Sequence, residues 1–452
     1  MGWAVAVAAC ATASLTAAED VPDGRKPNIL LIMTDQQTAS ALSCAGNAWL
    51  NTPAMDSIGV HGTRFERAYV TQPLCLPFRS SFQTARYPHE IGTVTNGSTI
   101  EGEFPMLGHL VREAGYHCAY IGKWHVGASF EQAGYEEASN YRPDHRKTEA
   151  AVAFLKRKHR KPFFLTVSYM NPHNVCQLAR GQELPDGPIG SPPDDPDELP
   201  PLPSNFRVPA NEPTAIRKVQ KRAPEHYPTR DWGELEWRQY LWGYYRLVEK
   251  VDVEIGRVLD VLRDSEYGDH TVVLFLSDHG EGIAMHHWNQ KQILYDQSTR
   301  VPLLMTMPGG TSHRVSTELV SVALDVPVTI LDLAGAERPE SMRGISLRSL
   351  LTGETDRPGR EFVVAQTVFA RGTERLGLRG RMIRTRQFKY CVYDVGENRE
   401  QLFDMVSDPG ETKNLAVAAH FREELNRHRR LLVEWARETN DDGFPYVQPE
   451  RR

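Results

Sequence analysis

The sequence predicts an α/β protein: a large, mostly parallel sheet flanked by helices, followed by a smaller antiparallel sheet packed by a helix. Three observations carry this expectation. Five apolar runs, Ile29–Met33, Cys118–Ile121, Phe163–Tyr169, Val272–Leu276 and Val301–Met307, have the length and near-continuous hydrophobicity of strands buried on both faces. Helical patterns separate several of them, the alternation expected of parallel strands joined by crossovers. After about Pro358 the texture changes to shorter runs at Phe362–Ala365, Met382–Thr385 and Lys389–Tyr393, then an acidic turn and a last helix from His420 to Thr439.

Along the chain, Met1 to Ala18 is an Ala/Val-rich apolar stretch that closes on small residues before Glu19-Asp20, so residues 1–18 are expected to be a signal peptide. Its n-region lacks Lys and Arg, and Val7-Ala-Ala-Cys10 loosely resembles a lipoprotein box. Beyond it no apolar run is long enough to span a bilayer, so a secreted or periplasmic mature protein is expected. Residues 26–356 are expected to form the catalytic domain and 357–452 a C-terminal subdomain. A helix over Thr148–Leu155 ends in the basic run Lys156-Arg-Lys-His-Arg-Lys161, read as a solvated helix terminus. The stretch from Gln177 to Asp231 is rich in proline and acidic residues with almost no apolar periodicity. It is read as a long loop that covers the site, a passive insertion being the alternative. The clearest helix runs from Trp237 to Leu262, where Tyr244, Val248, Val251, Ile255, Val258 and Leu262 recur at three- and four-residue steps.

The composition is that of a globular enzyme: 452 residues, 40% hydrophobic and 24% charged, with a net charge of −6. A chain of this weak acidity lacks the basic surface with which a general nucleic-acid binder releases counterions, so no nucleic-acid partner is expected. The six cysteines are too widely spaced for a disulfide framework or a zinc pattern.

Polar residues with chemical potential follow four of the apolar runs: Asp35, Lys123 with His125, His173, and Asp278 with His279. Sites of open α/β sheets form beyond the carboxyl ends of the strands, so these four segments can meet in one crevice. The most informative motif is Cys75-Leu-Pro-Phe-Arg79, a C-x-P-x-R spacing followed by Thr84-Ala85-Arg86. Around it stand Asn28-Ile-Leu-Leu-Ile-Met-Thr-Asp35-Gln36-Gln37, Gly122-Lys123-Trp124-His125-Val-Gly127, Asn171-Pro172-His173, Leu276-Ser277-Asp278-His279-Gly280-Glu281, Lys291 within Trp288–Pro302, and a late Leu402-Phe-Asp404-Met-Val-Ser-Asp408-Pro-Gly-Glu411. In this order the motifs resemble those of the type I sulfatases, of the alkaline phosphatase-like superfamily, over nearly the whole mature chain. Where that family usually has a small residue after the cysteine, Ser before the arginine and T-G-R, this chain has Leu76, Phe78 and Ala85.

The resemblance implies that a formylglycine-generating enzyme oxidises Cys75 to formylglycine, whose hydrate is the nucleophile, and that Arg79 stabilises it. It implies Lys123 and Lys291 on the sulfate oxygens, His173 as proton donor to the leaving alcohol, and His125 as acceptor of the second hydroxyl's proton. A sulfate monoester repels an incoming anion, so neutralising cations and a positioned nucleophile are what its hydrolysis needs. The implied metal set is Asp35, Gln36, Asp278 and His279 with the modified Cys75. Relative to the commoner Asp-Asp and Asp-Asn pairs it has one carboxylate fewer and an imidazole, a shift towards Mn²⁺ that still leaves Ca²⁺ as the expected ion. His286 and His287 stand before Lys291 at a spacing where family members place a substrate-facing histidine; one of the two is expected to touch the leaving group and the other to be a packing or surface histidine, the sequence leaving open which is which. Arg86, Asp56 and Asp252 are expected to serve helix ends. The expected substrate is a sulfated carbohydrate or another small sulfate ester. Two alternatives stay open at this point: a phosphonate or phosphate ester hydrolase, and a catalytically inactive sugar-binding relative.

Overall fold

Side chains of the first strand, β1 (Asn28–Asp35), alternate between two cores, as a strand buried on both faces requires. Ile29, Leu31 and Met33 enter one, Leu30 and Ile32 the other. The structure, a computed structural model, describes residues 25–310, 313–353 and 359–450. The expected signal peptide (1–18) and the expected domain boundary (356/357) lie outside those residues.

The other strands of the main sheet are β2 (Thr63–Tyr69), β3 (His117–Gly122), β4 (Glu137–Ser139), β5 (Phe163–Pro172), β6 (Thr271–Ser277), β7 (Leu303–Thr306) and β8 (Arg314–Ser321). Their order is β4-β3-β5-β1-β6-β7-β2-β8. β1 runs parallel to β5 and β6, β3 to β4 and β5, and β2 to β8; β7 alone is reversed, antiparallel to β6 and β2. All five sequence-expected strands are present, and β2, β4 and β8 join them. β8 escaped notice because its first half alternates between half-exposed and exposed positions.

Helices cover both faces. α1 (Pro53–Val60), α4 (Asp144–Leu155) and the long α7 (Glu234–Arg263) pack with one core, while α2 (Cys75–Thr84), α3 (Leu107–Glu113) and α9 (Val322–Ala334) pack with the other. Short helices α5 (Val175–Leu178), α6 (Thr214–Arg222), α8 (Asp296–Thr299) and α10 (Arg348–Thr352) lie in the connections. The basic run after α4 is a largely solvated helix end, as expected. Asp252 of α7 accepts from the free amides of Ala54 (3.1 Å) and Met55 (2.8 Å) at the start of α1, and Asp56 accepts from Ser43 Oγ (2.6 Å) and Thr52 Oγ1 (2.9 Å).

The proline-rich stretch differs from its expectation as a bare loop. It contains α6, whose Ala215, Ile216 and Val219 are buried. The sequence hides this face because it is narrow and the Lys and Arg residues between these positions dominate the local composition. Arg217 of α6 donates to the carbonyls of His286 (2.6 Å) and His287 (3.3 Å), so this stretch is fastened to the loop that carries Lys291.

The C-terminal sheet is fully antiparallel, order β12-β11-β10-β9, from β9 (Phe362–Arg371), β10 (Glu374–Thr385), β11 (Phe388–Tyr393) and β12 (Glu400–Asp404). α11 (Arg422–Thr439) covers one face through Leu425, Leu432 and Trp435. The other face meets Trp288, Ile293 and Tyr295 of the main body. Glu411 of the late motif clasps the two together, accepting from Asp296 N (2.7 Å) and pairing with the buried Lys389 (2.7 Å).

Candidate active site

Four neighbouring parallel strands, β3-β5-β1-β6, end at one edge of the sheet, and the residues after them face Cys75 at the start of α2. Cys75 is the first helical residue after the extended Leu74. Pro77 falls in the first turn, where a missing N–H breaks no helical bond. Arg79, four residues on, shares the face of Cys75. The C-x-P-x-R spacing is thus the start of a helix that presents a thiol and a guanidinium to the strand ends. Leu76 and Phe78, where this chain departs from the usual motif, are buried core residues. Ala85 is the left-handed C-cap of α2 (φ 49°), a conformation that glycine adopts at least cost.

Arg79 ties the strand ends together. Its guanidinium pairs with Asp35 (3.1 Å) and Asp278 (2.8 Å), and donates to Lys123 O and Ser168 Oγ (both 2.8 Å). Around Cys75 Sγ stand His279 Nε2 (3.1 Å), Lys291 Nζ (3.2 Å) and Asp35 Oδ1 (3.9 Å). His125 and His173 stand near the same thiol and interact with it, His173 also lying 3.9 Å from Asp35 Oδ1. Lys123 pairs with Asp35.

Local structure explains several motif residues. Gly122 has φ +106°, and a Cβ there would lie 2.1 Å from Ser168 O; without it β3 could not turn Lys123 towards β5. Trp124 anchors that turn, its ring edge-on to Tyr120 and Tyr135 and its Nε1 donating to Ala128 O. Asn171 serves position rather than chemistry: its amide and backbone N–H donate to the buried Asp144, which also accepts from Met170 N (2.7 Å) and Lys147 (2.7 Å). Asp144→Ala would leave Lys147 and the backbone N–H groups of Met170 and Asn171 without this acceptor. It is expected to destabilise the fold by about 3–5 kcal/mol, read as a lowered thermal midpoint.

The electrostatics are those of an anion site. Burial opposes ionisation of Cys75, yet Lys123, Lys291 and His279 hold its thiol well below the ordinary value. Burial and Asp35 raise Asp278 to about 6. Burial, Lys291 and Lys123 lower His173 to about 4.

The donor atoms of Asp35, Cys75, Asp278 and His279, all buried, lie within 4.8 Å of one another. Two crowded carboxylates, an imidazole and the side chain at position 75 suit a divalent cation, so these residues fit the implied metal. Gln36 adjoins them with φ 71°. Its backbone N–H donates to Asp278 Oδ1 (3.1 Å), and its side-chain Oε1 accepts from Lys291 Nζ (2.7 Å).

His286 does not join this group. Its ring stacks on Tyr295 (3.8 Å between centroids), with one nitrogen on Gly410 O and the other on Gln297 Nε2. It is a packing histidine between the main body and the C-terminal sheet, one of the two roles the sequence leaves open between His286 and His287. His287 bonds Arg230 O (3.0 Å) and packs on Phe206 and Trp237. Two positioning residues were not singled out from sequence. Glu281, fully buried, accepts from Gln36 Nε2, Tyr240 OH and Gln290 N. Tyr244 donates to Gln36 O (2.9 Å) and accepts from Thr38 N (3.0 Å). Two tyrosines four apart on the buried stripe of α7 were the available signal.

The sulfatase family model matches residues 27–336, and that of the N-sulphoglucosamine sulphohydrolase C-terminal region matches 284–437. The chain is 31% identical over 443 residues to the Delta 4,5-hexuronate-2-O-sulfatase of Bacteroides thetaiotaomicron, covering 92% of this chain and 90% of that protein. Among solved structures, a 2-O GAG sulfatase superposes with a TM-score of 0.84 at 30% identity, covering 94% and 95% of the two chains. The phosphonate monoester hydrolase of Agrobacterium radiobacter superposes with 0.72 at 20% identity, covering 91% of this chain and 96% of that one, a likeness of fold.

Proposed function

We propose, for a chain that belongs to the sulfatase family and is a sulfuric ester hydrolase, that it removes sulfate from a sulfated carbohydrate of the glycosaminoglycan type, the 2-O-sulfate of a hexuronate being the first candidate. The observation that carries this reading is the gathering of Lys123, Lys291, His279 and two carboxylates around position 75. The sugar class rests on the hexuronate 2-O-sulfatase and the 2-O GAG sulfatase, whose chains this one matches nearly end to end.

In this reading Cys75 is converted to formylglycine by a formylglycine-generating enzyme. Its hydrated aldehyde supplies a nucleophilic oxygen and a second hydroxyl through which sulfate can be expelled. Asp35, Gln36, Asp278 and His279 would hold Ca²⁺, with Mn²⁺ the second choice, and the ion would supply positive charge to the sulfate oxygens. Lys123 and Lys291 bind and orient the sulfate, and Arg79 holds the strand ends around position 75. His125 accepts a proton at position 75. His173, whose side chain is about a quarter exposed, gives a proton to the leaving alcohol. A sulfate held between Lys123 and Lys291 would offset the two charges that help to lower His173, and so favour the protonated ring in the complex. Residues 26–356 form the catalytic unit and 357–452 its subdomain, and the protein works in the periplasm or outside the cell. Among the described residues no helix is long and apolar enough to cross a membrane.

A general acid matters most for a basic leaving group such as a sugar alcohol and least for a nitrophenol. His173→Ala is therefore expected to lower sugar sulfate turnover about 10²–10⁴-fold and nitrophenyl sulfate turnover far less. Equal losses on one preparation would make His173 a sulfate-binding or structural residue. Faster turnover of an aryl phosphonate than of the matching aryl sulfate would replace this reading with a phosphonate hydrolase.

A further inference from the structure

Beside the reactive centre lies a second cationic cavity that the chemistry above does not use. It measures about 500 Å³ and is lined by Arg180, Gln182, Glu225, His226, Pro228 and Arg371. Three separate elements build it. Arg180 closes the short segment that begins at His173 and passes through α5. His226 comes from the proline-rich stretch after α6, and Arg371 ends β9 of the C-terminal sheet.

The cavity is joined to the site by short contacts. Lys291 Nζ is 3.2 Å from Cys75 Sγ, and the next residue, Gln292, places its Nε2 3.2 Å from His226 Nε2. The same amide of Gln292 brackets Ala370, accepting from its N–H (2.6 Å) and donating to its carbonyl (3.0 Å), which brings Arg371 to the rim. On the opposite wall Arg180 donates to Cys176 O (2.9 Å), and Cys176 Sγ packs on the amides of Gln36 and Gln290. Lys291, Arg180 and Arg371 all act on His226, which with burial holds that ring far towards its neutral form, so the walls share one field.

Arg180 is the informative residue. Its Nε and Nη1 are spent on the carbonyls of Glu225 and Cys176, while its Nη2 has no partner and no carboxylate pairs with it among the described residues. Arg371 is held at its Nη2 by the exposed Glu374 (2.8 Å), while its Nη1 meets Glu225 only at 3.4 Å, and Glu225 is an exposed side chain that an incoming anion can displace. A guanidinium fixed by carbonyls, with a free N–H edge and a second guanidinium across the gap, is suited to a planar oxyanion.

We propose that Arg180 and Arg371 form a carboxylate subsite that holds the uronate group of the sugar whose sulfate is cleaved at Cys75. This rests on the hexuronate reading above and adds the residues that would select for it. The sugar ring would lie over α5, with its sulfate at Lys123 and Lys291, the ester oxygen at His173 and the carboxylate at Arg180.

The test separates the subsite from the substrate. Nitrophenyl sulfate turnover by the full chain is inhibited with glucuronate or with its neutral amide, glucuronamide. Wild type is expected to bind glucuronate the more tightly. Arg180→Gln should weaken glucuronate inhibition about 10- to 100-fold, the worth of a charged hydrogen-bonded contact, with Arg180→Lys retaining most of it. On an unsaturated hexuronate 2-O-sulfate disaccharide, Arg180→Gln and Arg371→Gln should each lose at least about tenfold more kcat/KM than on nitrophenyl sulfate, chiefly through KM. Arg371 is half exposed, so its variant serves even if Arg180→Gln fails to fold. Equal inhibition of wild type by glucuronate and glucuronamide would overturn the proposal. So would an Arg180-dependent preference for N,6-disulfated glucosamine over N-acetylglucosamine 6-sulfate without any preference for glucuronate, since the anion would then be a second sulfate. Arg180-dependent glucuronate binding in an enzyme inactive on hexuronate sulfate would support the subsite and sink the substrate reading alone.

Discussion

Cys75→Ser is expected to lower sulfate ester turnover by about 10⁴-fold or more while leaving the thermal midpoint close to wild type. Serine is nearly isosteric with cysteine, and position 75 is the first residue of a helix packed into the core through Phe78 and Phe82, so the fold has little reason to respond. The chemistry does. A serine could attack sulfur once, but its sulfate ester has no second hydroxyl with which to expel the sulfate, so the enzyme would stall after one turnover. Mass spectrometry of the peptide containing Cys75 tests the premise directly, because conversion to the aldehyde removes roughly 18 Da relative to the thiol. Full activity in a Cys75→Ala protein, or full activity with an unmodified thiol, would end the hypothesis.

Asp278→Asn is expected to cost bound metal and turnover together, the latter by about 10³-fold or more, because the variant removes one of two carboxylates facing the ion's position. Asparagine is preferred to alanine as the first variant. Arg79 would otherwise lose a buried partner at 2.8 Å, and an uncompensated buried charge costs about 3–5 kcal/mol. Two measurements on one preparation decide the matter: metal content per chain, and the shift of thermal midpoint on adding a chelator. A ligand that binds only the folded state stabilises it, so the chelator should lower the midpoint of wild type and leave that of Asp278→Asn nearly unmoved. Unchanged metal content in the variant would show that Asp278 is not a ligand.

The strand ends of this site were legible because each couples a local signal to a general rule. Asp35, Lys123, His173 and Asp278 each follow a run apolar enough to be a buried strand, and parallel strands deliver their next residues to one edge. Cys75 was legible for a different reason: its C-x-P-x-R spacing resembles the sulfatase motif, and the structure shows that spacing to be a helix start. The support for these groups was less visible. Glu281 and Tyr244 act on Gln36 from 245 and 208 residues away, and nothing in their neighbourhoods marks them as partners.

His286 and His287 show what spacing leaves open. Their position before Lys291 could not say which ring turns to the substrate, because the loop around them has positive φ at Ile283, Ala284, His286, His287, Gln290 and Gln292, and these turns re-aim successive side chains away from any regular period. The α6 face, the direction of β7 and the cavity at Arg180 belong to the same class, because each depends on which distant element packs alongside.

The sequence by itself determined the α/β class and the set of residues delivered to the sheet edge, since each rests on periodicity or spacing within a few residues. Only the tertiary structure decided which side chains touch. It made His286 a packing residue, made Arg79 the tie between four strands and set Arg180 and Arg371 together in a separate cavity. The reason is that burial and hydrogen-bond partnership are properties of contacts made across hundreds of residues, and a chain records the groups that can form such contacts without recording which of them meet.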